Sequence, residues 1–133
     1  MNKVKVSELG CAPNPCNSCP YRRDTPSGIW AKEEYDKLPA WDEQWGGGGV
    51  FLCHNAPDSL CRGWLEVHHR NIGVRLASCG VKWTAENSEP TKVPLYASGA
   101  EARKAGIRGI KNPSKKAIRK IDQILERRAR RKS

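Results

Sequence analysis

Bulky apolar residues are scarce in these 133 residues: phenylalanine and methionine each occur once. No apolar run approaches the length of a membrane span, and the opening MNKVKVSELG lacks the apolar segment of a secretion signal. The expectation is a cytoplasmic chain with no membrane partner, in a compartment where thiols stay reduced. Signs of catalysis are also missing. No Ser-His-Asp arrangement, nucleotide motif or convincing pair of acids is visible, so no catalytic residue is assigned. The glycines 46–49 lack the downstream Gly-Lys-Ser/Thr of a phosphate-binding loop. His68, His69 and Asn71 sketch an HNH-type nuclease, but no histidine follows His69 to complete its metal site.

A core this thin is often reinforced by a staple. Six cysteines and five tryptophans are the available material. In a reducing compartment, six cysteines read as metal ligands and spare thiols rather than three disulfides. Cys16 and Cys19, in CNSCPYRRD, have the spacing of a turn that aims two sulfurs at one metal. Cys53 ends the apolar run VFLC, and Cys61 falls in the first turn of a helix expected over 58–69. A helix N-terminus favours a thiolate there. These four form the expected set, with His54 as a substitute ligand for one sulfur and Cys11 and Cys79 as spares. Zn2+ is the expected ion. A [4Fe–4S] cluster is the alternative, because a Cys-Pro step like Cys19-Pro20 also occurs at such clusters.

Charge divides the chain unevenly. Residues 97–133 hold thirteen Lys/Arg against three Asp/Glu, whereas the preceding 96 residues are electrically balanced. The fold expected is a small, irregular, metal-stapled α+β domain over 1–106, followed by a basic helical tail over 107–133. Short helices are expected over 31–38, 58–69, 71–80 and 98–106. Asn71 would cap the third, and Ser98 with Glu101 would form a capping box on the fourth. The tail helix would start at Asn112 and Pro113. Its apolar stripe would run through Ile118, Ile121, Leu125 and Ala129, with Ile124 alongside. Lys115, Lys116, Arg119, Lys120, Arg127, Arg128, Arg130 and Arg131 surround that stripe and are the expected nucleic-acid contacts. Arg22, Arg23 and Asp24 read as an ion cluster or as donors to the thiolates. Most of the tryptophans are expected in the core.

The succession CNSCPYRRDTPSGIW, FLCHN, CRGWLEVHHRNIGVRLASCG and PLYASGAEARKAG resembles a family of small cysteine-rich proteins from actinobacteria and their phages, known as a domain of unknown function. The likeness runs from about Cys16 to Gly106. It groups Cys16, Cys19, Cys53, His54 and Cys61 into one constellation, with Arg22 and Trp64 beside it, and implies no activity. The function expected is therefore a metal-binding regulatory or nucleic-acid-binding protein, phage-encoded in origin and acting on DNA, RNA or the transcription machinery. Two alternatives stand beside it: an iron–sulfur redox protein or enzyme, and an inhibitor of an acidic host protein.

Overall fold

The computed structural model describes residues 9–53 and 58–132, with side chains described as far as Arg130. Among the described residues, five helices and a minimal sheet follow one another along the chain. They are β1 (Gly10–Cys11), α1 (Lys32–Asp36), a 3-10 turn (Leu38–Trp41), β2 (Ser59–Leu60), α2 (Arg62–Val67), α3 (Ile72–Cys79), α4 (Gly99–Arg108) and α5 (Lys115–Lys132). The small α+β architecture is as expected. β1 and β2 pair in parallel, Gly10 opposite Ser59 and Cys11 opposite Leu60. The apolar run before Cys53 turns back onto β2. Leu52 bridges Leu60 antiparallel, Cys53 N–H donates to the Ser59 carbonyl at 2.8 Å, and Cys61 N–H donates to the Phe51 carbonyl at 2.9 Å. These pairings are short, but they bring two distant cysteines onto adjoining backbones.

Aromatic rings make up for the missing aliphatics. Trp41 meets Trp64 edge-on at 5.6 Å and Phe51 at 5.8 Å, and Phe51 meets Tyr21 at 6.1 Å. Trp30, Trp41 and Trp64 are buried, but Trp45 is 78 % and Trp83 44 % exposed. Trp41 and Trp45 therefore do not share one face, contrary to what their spacing suggests. Buried polar groups fasten the loops to this core. Arg62 is paired with Glu66 at 2.6 Å and donates to the Asn87 and Glu89 carbonyls, which pins residues 87–89 against α2. Arg22 and Arg23 make ion pairs with Asp24 and Glu101.

The helix caps show which local signals prevailed. Asn71 accepts from Val74 N–H and Ser98 from Glu101 N–H, as the sequence indicates. Asp42 adds its carboxylate to the start of α4, accepting from Gly99 and Ala100 N–H at 2.6 and 2.9 Å. α4 then lies close against α1 and the 3-10 turn. A side chain at Gly106 would meet the Tyr35 ring at 2.0 Å, so only glycine permits that approach.

Three helix expectations need correction. α2 begins at Arg62 rather than Asp58, because Ser59 and Leu60 are used in the sheet; Cys61 is its N-cap. α4 continues past Gly106 to Arg108 and ends at Gly109. α5 is capped by Ser114, whose hydroxyl accepts from Ala117 N–H at 3.1 Å, and not by Asn112 with Pro113. Among the described residues no helix is long and apolar enough to cross a membrane.

Candidate metal centre and basic face

Two turns and one glycine assemble the thiols. The Cys16–Cys19 turn closes with Cys19 N–H donating to the Cys16 carbonyl at 3.0 Å, and Arg22 N–H continues it onto the Cys19 carbonyl at 3.1 Å. Pro20 cannot donate, and the turn does not require it to. Tyr21 and Arg23 then lash this segment to residues 94–96, since Tyr96 N–H donates to the Tyr21 carbonyl and Arg23 N–H to that of Pro94. From the other side, α2 presents Cys61. Cys19 and Cys61 are both buried, their sulfurs 3.7 Å apart. Gly63 makes room for this contact: a β-carbon there would lie 2.7 Å from Cys19 Sγ and 2.8 Å from Tyr21 Cβ.

Cys16 and Cys53 form a second pair. The Cys16 thiol is lowered to about 7, chiefly by its hydrogen bond with Cys53 and helped by Ser18, against the cost of burial. Ser18 Oγ lies 3.6 Å from Cys16 Sγ. Cys61 is pushed well above the usual thiol range by the shared proton with Cys19, by burial and by the charge of Cys16 nearby. The Trp64 backbone N–H opposes that rise by donating to Cys61. All four expected cysteines thus enter one electrostatic neighbourhood, as two close pairs. All six cysteines are free of disulfides. Among the described residues no three His, Cys, Asp or Glu side chains are gathered closely enough to hold an ion as they stand. His54 lies outside the described residues. Cys79 is exposed; Cys11 is buried, its thiol raised by desolvation and partly restored by Arg62, with Cys53 near enough to add to the rise.

Sequence reasoning missed a polar chain beside the thiols. The Tyr21 hydroxyl, wholly buried, shares a 2.9 Å hydrogen bond with His68 Nε2. His68 is not a solvated helix-end histidine. It is 2 % exposed, its Nδ1 stands 3.4 Å from Asp42 Oδ1 without forming a hydrogen bond, and burial lowers its pKa. The aromatic directly after Cys-Pro was the available signal, but nothing in the sequence names its partner.

The basic residues of α5 occupy a helix that is docked, not free. Ala117 and Ile124 are buried and Ile121 is half-buried, whereas Ile118 and Leu125 are 47 % and 57 % exposed. The buried stripe is thus displaced from the expected Ile118–Leu125 line. Its far end is fixed by Arg128, whose guanidinium lies 5.5 Å from the Trp30 ring centre. Trp30 in turn donates its indole N–H to the Ser18 carbonyl at 2.8 Å, inside the Cys16–Cys19 turn. Lys115, Lys116, Arg119, Arg127 and Arg130 are exposed and Lys120 partly so. The Arg131 side chain lies outside the described residues. No acidic residue stands in the first turn of α5, so Lys115 and Lys116 face the positive end of the helix dipole.

Residues 11–128 match the model of a family of unknown function, DUF6283, and the chain belongs to that family. The match extends into α5 as far as residue 128. No curated protein and no solved structure matches the chain.

Proposed function

We propose that this protein is a zinc-thiolate-stapled binding protein that grips nucleic acid through α5. The observation that carries the reading is the segregation on that helix. Its apolar side is packed on the domain, while Lys115, Lys116, Arg119 and Arg127 face solvent with no acid in the first turn of the helix, and Arg130, also exposed, pairs with Glu126 at 3.6 Å. A positive helix on a rigid support suits the phosphate backbone, whose binding draws on release of condensed counterions. The staple is supported by the thiols. A regular ZnS4 tetrahedron with bonds of about 2.3 Å has sulfur–sulfur edges of about 3.8 Å. The Cys19–Cys61 separation of 3.7 Å fits one such edge. The lowered Cys16 thiol fits a site made for thiolates, and the Trp64 N–H works the same way on Cys61 against the larger rise that Cys19 and burial impose.

Elemental analysis and a visible spectrum of anaerobically purified protein test the staple. One zinc per chain and no colour is the expected result. A brown protein absorbing near ~400 nm would install the [4Fe–4S] alternative instead. Salt-titrated binding to DNA and RNA tests the function, with a log–log slope of about −0.9 per phosphate neutralised expected on duplex DNA. Retention of an acidic protein after nuclease treatment, with no affinity for either nucleic acid, would move the assignment to a protein-targeting inhibitor.

A further inference from the structure

His68 sits where three parts of the chain meet. It is the C-cap of α2, and its ring is held edge-on by Tyr21 at 5.3 Å and tilted against Trp41 at 6.1 Å. The Tyr21 hydroxyl shares the 2.9 Å hydrogen bond with Nε2, and Asp42 Oδ1 stands 3.4 Å from Nδ1. Burial pushes the Tyr21 hydroxyl far above its ordinary range, so it stays protonated and able to donate. A tyrosine donating to Nε2 leaves the ring proton on Nδ1, directed towards the carboxylate. The opposite tautomer would set a bare nitrogen against that carboxylate.

Asp42 has a second task. Its two oxygens accept from Gly99 and Ala100 N–H at 2.6 and 2.9 Å, which pins the start of α4 to the end of the 3-10 turn. That start is tightly fitted, since a β-carbon at Gly99 would run into the Leu38 carbonyl. One carboxylate thus lies between an imidazole and a helix N-terminus. A hollow of about 340 Å³, lined by His68 and Asp42, opens beside them and gives protons a way in. The groups around the ring are Tyr21 on one side, Asp42 on the other, the uncharged Asn71 and Ser98 at the starts of α3 and α4, and His69 and Arg70 on its own segment. Burial disfavours the protonated ring. The Asp42 charge and the Trp41 and Leu38 carbonyls oppose that, and burial prevails.

We propose that His68 is an acid-responsive latch, whose protonation draws Asp42 off the first N–H groups of α4 and loosens the start of that helix. The step is uptake of one proton from solvent at Nε2. Both ring nitrogens then donate, so the Tyr21 hydroxyl must turn from donor to acceptor. The ring is clamped between Tyr21 and Trp41, so the carboxylate is the partner that moves. A charge-assisted bond to Nδ1 would measure about 2.7–2.9 Å against the present 3.4 Å. Closing that gap competes with the bond to Gly99. Burial sets the direction with pH. A histidine held below its ordinary value of about 6.5 keeps the latch closed above that value, and the stabilisation is lost as pH falls through the lowered one. The latch uses neither α5 nor the thiols and stands apart from the function proposed above.

The test follows full-length wild type and His68→Gln by NMR between about pH 7.5 and 5, on both sides of the ordinary histidine value. It reads the His68 ring and the hydrogen exchange of the Gly99 and Ala100 amides. His68 is expected to titrate below about 6.5. Exchange at Gly99 and Ala100, corrected for its intrinsic pH dependence, should quicken in the wild type by up to about tenfold for each unit of that depression. The Val74 amide, capped by Asn71, should hold steady and serves as the control. His68→Gln should show no such acid dependence. Acid acting through the thiols would quicken both chains alike, and that result overturns the latch. A His68 that titrates at or above about 6.5 overturns it too, as does one that titrates low with no change at Gly99 and Ala100. Should His68→Gln fail to fold, the wild type alone decides, because the midpoint at the two amides then has to coincide with that of the His68 ring.

Discussion

Around Cys19 and Cys61 the domain buries thiols, whereas along α5 it puts its charges into water and buries only a narrow stripe. The two regions depend on different physics. The thiol neighbourhood is held by short backbone pairings and by space that a single β-carbon would destroy. α5 is held by three apolar side chains and one cation–π contact, so it is the less firmly attached of the two. A metal would add most to the region where local structure is least regular, and phosphates would find the region that is least shielded.

The comparison can be broken most severely at the thiols. Cys61→Ser should abolish stoichiometric zinc and the cooperative thermal transition, since structural zinc contributes on the order of 10 kcal/mol to folding in small domains. Elemental analysis and calorimetry on the same sample check it; full zinc content with a wild-type melt would sink the assignment. A milder insult at the same place is Gly63→Ala. Its methyl would enter a gap of 2.7 Å to Cys19 Sγ, and overpacking of this kind costs about 1–3 kcal/mol. A lowered midpoint in denaturant is expected, with zinc retained in the folded fraction. On the other side of the comparison, Arg127→Ala/Arg130→Ala should leave the melt unchanged. If each arginine neutralises one phosphate, the salt slope of duplex binding should fall by up to about 1.8. An unchanged slope would take these arginines out of the interface. The smallest expected effect is that of Arg128→Ala. An exposed cation–π pair contributes about 0.5–1 kcal/mol, so the end of α5 should become more open to limited proteolysis while zinc content stays the same.

Much of the local structure was legible because it is made by neighbours in sequence. Asn71 and Ser98 cap their helices three residues downstream, and the Cys16–Cys19 turn is a four-residue event. What was not legible depends on distant pairing. Residues 58–60 carry good helix-start chemistry, but β1 recruits Ser59 and Leu60 into a sheet from nearly fifty positions away, and this delays α2 until after Cys61. On α5 two apolar stripes share Ile121 at nearly the same spacing. Hydrophobicity favours the one with Ile118 and Leu125, but the observed packing uses Ala117 and Ile124. Likewise, nothing in the spacing of Trp41 and Trp45 says that one enters the core and the other is held out of it by Asn71. Spacing picked out Cys16 and Cys19, the end of an apolar run and a helix start picked out Cys53 and Cys61, and their gathering into two pairs follows from the fold-back of residues 51–53 onto 59–61.

Trp30 couples the cysteine turn to the far end of the chain. Its N–H is bound to a carbonyl twelve residues earlier, a contact that can form as soon as the Cys16–Cys19 turn exists. Its ring is met by Arg128, ninety-eight positions further along, a contact that closes the chain end onto its first third. The end of the basic helix is thus tied, through one indole, to the turn that carries Cys16 and Cys19. A chain that has failed to close its cysteine turn offers α5 no finished surface to land on, and its basic face is then presented by an undocked helix.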